Sequence, residues 1–147
     1  MFKKIGNYTN SKQNYKQNYN RKVLSISAKI LKHNDNRPRL ELCYGESSLE
    51  ALLDTGATIS VIRRKEALNL GIHIKRGNGE IKGFSGMKTV VGSCNIKLKR
   101  EDRNHEDLVK CLVVEDMNET MIFGIDNIHR LNLITFITSK KKKENNS

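Results

Sequence analysis

Residues 52–62 read LLDTGATISVI and place a carboxylate, Asp54, at the end of an apolar strand. A small hydroxyl residue and a glycine follow, so the chain turns sharply where the charge lies. A buried carboxylate needs hydrogen-bond donors or a proton. The backbone N–H groups of residues 55–57 can supply donors, because Gly56 brings the backbone close without a Cβ in the way. These residues predict a functional carboxylate on a tight turn, and a plain Asx-type turn is the alternative.

Short strands are predicted on both sides of this turn. Apolar and polar residues alternate over residues 40–44 and 49–53, and residues 45–48 between them have the composition of a turn, which predicts a hairpin. Further strands are predicted at residues 90–98, 108–114, 121–123 and 131–137.

Helical signals are brief and occur in two places. Residues 63–70 form one predicted helix, closed by Gly71 at the C′ position, and residues 127–131 form the other. The fold class predicted from these patterns is an all-β body of short strands, a small closed or nearly closed barrel with one or two short helices.

The positive charge lies mainly at the two ends of the chain. The 147 residues carry a net charge of +11, but residues 40–139 hold 13 basic and 14 acidic side chains. Residues 1–22 are rich in Asn, Lys and Gln and are predicted to form a disordered tail, followed by a folded domain at 23–138 and a basic C-terminal tail at 139–147. Tyrosines among the lysines of the first tail could stack on single-stranded nucleic acid; a solvated leader is the alternative.

Other function classes find little support in the sequence. There is no apolar run of about 18 residues that would span a bilayer, and the N-terminus does not read as a signal peptide. Three widely separated cysteines fit reduced thiols in a cytoplasmic protein. No Cys-x-x-Cys or His-x-x-x-His pair is present, so neither a metal nor another cofactor is expected.

Three segments together resemble the retroviral-type aspartic proteases, the retropepsins. Asp54-Thr55-Gly56-Ala57 matches the catalytic motif of that family, and residues 121–126, MIFGID, resemble its second motif, which precedes a short helix packed behind the active-site loop. Residues 81–88 lie where the family has its flap, a glycine-tipped hairpin that covers the substrate. The resemblance spans about residues 37–138 and implies a small acid-protease barrel.

The second motif departs from the viral pattern. Viral members often have Arg directly after the motif glycine, paired with an Asp just beyond the catalytic turn, whereas this chain has Ile125, Thr58 and Ile59 at those places. Asp126 resembles the Gly-x-Asp version of long-terminal-repeat retrotransposon proteases. A retrotransposon-type or host-domesticated relative is therefore favoured, and Asp126 is predicted to be the N-cap of the short helix.

The chemistry of such a protease requires two neighbouring carboxylates that share one proton. The chain has one Asp-Thr-Gly, so the second Asp54 is expected from a second copy in a homodimer. The resemblance implies that Asp54 is the catalytic acid and base, that Thr55 bonds the partner's loop across the two-fold axis, and that Gly56 presents backbone to substrate.

The expected substrate is an extended polypeptide bound as an added strand and cleaved between bulky apolar residues, with a retrotransposon-type polyprotein as the expected source. Residues 131, 133 and 136 are expected to pair with the partner's termini in an intersubunit sheet. The loop and flap residues predicted to contact substrate are Ala57, Gly83, Phe84, Ser85, Gly86 and Met87. For the apolar ones, the alternative is that they only stabilise the hairpin.

Two other functions remain open at this stage. A catalytically idle retropepsin-like module could serve in dimerisation or peptide binding, although the intact Asp54-Thr55-Gly56 argues against it. A nucleic-acid-binding protein could act through its basic tails, although the near-neutral charge of residues 40–139 argues against that function for the body.

Overall fold

The computed structural model describes residues 23–27, 37–83 and 86–145, with side chains described up to residue 139. These residues form eight strands and three helices. In chain order they are β1 (Val23–Ser27), β2 (Arg39–Tyr44), β3 (Ser47–Leu53), β4 (Val61–Arg63), α1 (Arg64–Asn69), β5 (Lys75–Gly83), β6 (Gly86–Arg100), β7 (Asp107–Val114), β8 (Met121–Phe123), α2 (Ile125–Ile128) and α3 (Leu133–Asn145).

Seven of the strands close into a barrel. The hydrogen-bonded order is β1-β2-β3-β8-β4-β7-β6-β5, and β1 also pairs in parallel with β6, which joins the two ends of the seven-strand ring. The strand β5 lies outside the ring and pairs only with the first half of β6 as a hairpin. The small closed all-β barrel predicted from the sequence is confirmed.

The barrel core explains why the strands take this register. Along β6, every second residue from Val90 to Leu98 is buried, which directs one face of a long strand into the interior. Each large apolar side chain buried in such a core contributes roughly 1.5–3 kcal/mol. Fully buried side chains of the core include Ile26, Leu42, Ile62, Ile96, Met121 and Phe123.

The prediction of a strand at residues 131–137 is wrong, because residues 131–132 form a turn and residues 133–137 begin the helix α3. Leu133, Phe136 and Ile137 are buried in the core at helical spacing, and the guanidinium of Arg100 lies 4.3 Å above the ring of Phe136. Arg100 also donates a hydrogen bond of 2.9 Å to the carbonyl of Leu131. The predicted intersubunit pairing of residues 131, 133 and 136 is therefore also wrong, since their side chains fill the core of their own chain.

The two predicted helices are present, with one shift. The helix α1 lies within the predicted range, and Gly71 has a φ of 68° at the C′ position, as predicted. The helix α2 begins at Ile125, two residues before the predicted start, and its N-cap is Gly124. The prediction that Asp126 is the N-cap is therefore wrong.

The predicted tails at the two ends of the chain have no direct test in the structure. The tail at residues 1–22 lies outside the described residues, and the boundary predicted after residue 138 falls inside α3.

In the described residues no helix is long and apolar enough to cross a membrane. The same residues hold no group of three or more His, Cys, Asp or Glu side chains arranged to bind a metal ion.

Candidate active site

Asp54 lies on a turn that is fixed to the neighbouring strand. Its backbone N–H donates to the carbonyl of Phe123 at 3.0 Å, and the N–H of Ala57 donates back to the Asp54 carbonyl at 3.1 Å. The Gly56 N–H donates to Asp54 Oδ1 at 2.9 Å, so the donor expected from the sequence is present. Within the described residues Oδ2 accepts no hydrogen bond, which leaves this oxygen available to a ligand.

The turn presents its polar atoms outward. Asp54 and Ala57 are half-buried, while Thr55 and Gly56 are exposed. A Cβ on Gly56 would lie 3.2 Å from Asp54 Oδ1, a distance tighter than ordinary van der Waals contact. A glycine at this position therefore allows the backbone donor to reach the carboxylate.

The second motif lies directly behind this turn, as the resemblance implies. The N–H of Ile125 donates to the carbonyl of Ala57 at 2.8 Å. A Cβ on Gly124 would lie 2.6 Å from both the carbonyl carbon and the oxygen of Ile59. Since those are backbone atoms that no rotamer change can move, only glycine lets the junction between β8 and α2 cross the chain at this point.

A buried polar network joins the two motifs through Ser60. The Ser60 hydroxyl is fully buried; it donates to Asp126 Oδ1 at 2.8 Å and accepts from the Gly124 N–H at 3.0 Å and from Asn127 Nδ2 at 2.8 Å. The Ser60 N–H donates to Asp126 Oδ2 at 3.2 Å. Asp126 also accepts from the Asn127 N–H at 2.9 Å. The carboxylate of Asp126 therefore binds the residue that joins the Asp54 turn to β4.

Asn127 extends this network to the next strand. Its Nδ2 donates to the carbonyl of Lys110 on β7 at 3.3 Å, and its Oδ1 accepts from Arg130 at 2.7 Å. Sequence reasoning missed both Ser60 and Asn127. The only signal was a pair of small polar residues next to the two motifs, and nothing in the sequence shows that they meet.

Ser60→Ala is expected to destabilise the fold by about 1–3 kcal/mol, because it removes the shared hydroxyl and leaves buried donors and an acceptor without a partner. The free energy of unfolding in denaturant measures this loss. Thr58→Ala is the matched control, since it deletes an exposed hydroxyl two residues away. Equal stability of the two variants would contradict a structural role for the network.

An apolar cluster separate from the barrel core lies between the turn and the β5–β6 hairpin. We call it the apolar wall: Val61, Val90, Val114 and Met117 are buried, and Ile81, Leu112 and Ile122 are partly buried. Val61 pairs with both Ile122 and Leu112 across neighbouring strands. Because Val61 begins the strand after the Asp54 turn and Ile81 lies on β5, the apolar wall connects the turn to the hairpin.

An ion pair supports the edge of the apolar wall. Arg63 binds both oxygens of Glu66, each at 2.6 Å, and donates to the carbonyl of Met117 at 3.1 Å. The hydrogen bonds from Arg63 lower the pKa of Glu66 below its ordinary value of 4.5. With a depressed folded-state pKa, the pair's stabilisation is present above pH 4.5 and is lost as the pH falls through the lower folded pKa. The Arg63–Glu66 ion pair, which places Arg63 to bind the Met117 carbonyl, therefore persists at mildly acidic pH.

The hairpin occupies the position predicted for the flap. Its last cross-strand pair is Gly83 with Gly86, while Phe84 and Ser85 between them lie outside the described residues. Met87 is 58% exposed. The substrate contacts predicted for these residues and for Ala57 stay predictions.

The barrel, the carboxylate on the turn after β3 and the glycine-tipped hairpin together define a retropepsin-like fold. A sequence profile of the family described as "gag-polyprotein putative aspartyl protease" matches residues 42–130, and the chain belongs to this family. The match includes the Asp54 turn, the hairpin and the second motif.

Two solved structures are among those that this chain resembles. EIAV protease, solved in complex with the inhibitor HBY-793, is 25% identical, and the alignment covers 69% of this chain and 95% of the viral chain with a TM-score of 0.54. The retroviral protease-like domain of Ddi1 from Leishmania major is 18% identical, with 63% and 74% coverage of the two chains and a TM-score of 0.45. The EIAV match spans nearly the whole viral protease, so this chain contains a complete barrel of that type.

Proposed function

We propose that this protein is an aspartic endopeptidase whose active form is a homodimer. The observation that carries the proposal is the Asp54 carboxylate, held through Oδ1 by Gly56 and open at Oδ2 on an outward-facing turn. Two such carboxylates at close range cannot both be ionised, so they share one proton. One then accepts a proton from the attacking water, while the other donates a proton to the oxygen of the scissile carbonyl.

The second carboxylate comes from a second copy, because other aspartates of the described chain are engaged. Asp126 binds Ser60 and Asn127, and Asp102 binds Arg100. Asp107 lies near Arg103 and His105. None of these side chains lies on a turn like that of Asp54, so a dyad requires two chains.

The packing of α3 affects how strong such a dimer can be. Leu131, Leu133 and Phe136 are buried within their own chain, so they contribute no intersubunit sheet. Among the described residues next to Asp54, the exposed ones that remain for dimer contacts are Thr55, Gly56, Thr58 and Ile59. We therefore expect a weak dimer whose specific activity falls on dilution.

The proposed substrate is an extended polypeptide lying between the turn and the hairpin, with an apolar side chain against Ile81 and Ile122, partly buried members of the apolar wall. A segment bound as an added strand gains affinity from main-chain hydrogen bonds and specificity from alternate side chains. Membership of a gag-polyprotein protease family makes a retrotransposon-type polyprotein the proposed natural substrate.

We also propose a reducing, cytoplasmic location. Cys94 and Cys111 are direct cross-strand partners in the barrel and are both buried, yet they are free thiols. Reduced cysteines at such a position fit a compartment in which disulfides are rare.

A fluorogenic peptide library incubated with the purified full chain at mildly acidic pH tests the proposed activity. Peptides with bulky apolar residues at the cut should be hydrolysed, and Asp54→Asn should spare them. Peptides that bind the wild-type chain without being cut would instead show an idle peptide-binding module.

A further inference from the structure

One face of the β5–β6 hairpin is directed at the apolar wall, and the other face is directed away from it. Ile81 packs against the apolar wall, and its cross-strand partner is Lys88. Side chains of directly paired residues lie on the same face of a sheet, as do residues two positions apart. Lys88 therefore shares the wall-facing side with Ile81 and Val90, whereas Lys82 and Met87, the next pair along, lie on the opposite side.

The burial of Lys88 agrees with this orientation. Lys88 is half-buried, whereas Met87 and Thr89 on either side of it are exposed. Its Cγ lies 4.0 Å from the position that a Cβ on Gly83 would take, so the stem of the side chain lies over the glycine-rich end of the hairpin. Half-burial on the wall-facing side of the hairpin places this cationic side chain next to the apolar wall.

Lys88 forms no ion pair with the described side chains of the chain. The nearby acids are engaged elsewhere or lie on the wrong face. Glu115 pairs with Arg64 at 3.3 Å, and Asp116 accepts a hydrogen bond from the Met117 N–H at 2.9 Å. Glu80 precedes Ile81 on β5, so it lies on the opposite face of the hairpin.

We propose that Lys88 is a specificity-determining residue that selects substrates with an acidic side chain next to the apolar residue on the wall. The inference rests on the proposed function and adds to it the charge of the preferred peptide. A half-buried cation beside an apolar surface interacts with an incoming carboxylate more strongly than an exposed one, because less water screens the pair. A basic side chain at the same substrate position would be repelled.

Paired peptides that differ only in Glu, Gln or Lys at each position flanking the apolar residue test this proposal. The wild type should cleave the best Glu peptide with a kcat/KM about fivefold above its Gln counterpart. The Lys peptide should be the poorest of the three, and the preference should weaken with added salt. In Lys88→Gln, the ratio of kcat/KM for the Glu peptide to that for the Gln peptide should be close to one. In Lys88→Glu, the Lys peptide should be cleaved best and the Glu peptide worst.

Lys82→Glu is the matched control, because it makes the same charge change one pair away on the opposite face of the hairpin. Its Glu-to-Gln ratio should stay at the wild-type value. A ratio that responds equally to Lys82→Glu and Lys88→Glu would overturn the assignment to Lys88. So would peptides that are cleaved well by the wild type at equal rates for Glu, Gln and Lys.

The same comparison can be made without turnover. Affinities of these peptides for Asp54→Asn chains, with and without Lys88→Glu, give the charge preference as a ratio of dissociation constants. If the wild type cleaves none of the peptides, the proposed enzymatic function fails, while a Glu preference that depends on Lys88 still supports this inference. Equal affinities for the three peptides would overturn it.

Discussion

Replacing Asp54 by asparagine is expected to lower peptide turnover by about a thousandfold or more, because an amide cannot hold the proton that the dyad shares. The amide oxygen can still accept the hydrogen bond that Gly56 gives to Oδ1, so the turn should keep its shape. Thermal unfolding of the variant should match that of the wild type. Turnover within tenfold of the wild type, with contaminating protease excluded, would contradict the assignment.

Mixing the two chains shows whether the site is shared. If wild-type and Asp54→Asn chains exchange freely in equal amounts, about a quarter of the dimers carry two intact aspartates, and activity should fall to about a quarter of that of an all-wild-type sample. A site contained in one chain would retain about half of the activity, because wild-type chains would be unaffected by their neighbours. A result near one half, with exchange confirmed independently, would exclude the shared dyad.

Replacing Gly124 by alanine is expected to destabilise the protein by about 3 kcal/mol or more and to abolish activity. The new Cβ would lie 2.6 Å from backbone atoms of Ile59, so β8 and α2 must move away from the Asp54 turn. The cause is steric rather than conformational, since Gly124 has a φ of −89°, which alanine also adopts. The movement would also break the hydrogen bond from the Gly124 N–H to Ser60.

Gly79→Ala provides the matched control, because a Cβ there meets no atom within 4 Å. Denaturant unfolding and peptide turnover should both stay close to wild type in this variant. If Gly124→Ala unfolds at the same denaturant concentration as Gly79→Ala, the close approach to Ile59 has no energetic consequence and the prediction fails.

Local patterns in the sequence predicted most of the barrel. The alternation at residues 40–44 and 49–53 predicted the hairpin of β2 and β3, and the apolar segments at 108–114 and 121–123 predicted β7 and β8. The segment at 131–137 failed because its apolar residues support two interpretations. Leu131 and Leu133 have strand spacing, but Leu133, Phe136 and Ile137 have helical spacing, and packing around Arg100 favours the helix.

For the candidate site, the sequence by itself determined the chemistry of the turn: the carboxylate of Asp54 and the glycine that brings a backbone donor to it. These features depend on residues within four positions of one another. Tertiary structure alone decided the rest. Ser60 meets Asp126 across 66 positions, and Lys88 faces the apolar wall because its cross-strand register places it opposite Ile81. Such contacts depend on how strands pair and close into a barrel, and no local pattern encodes which distant residues then become neighbours.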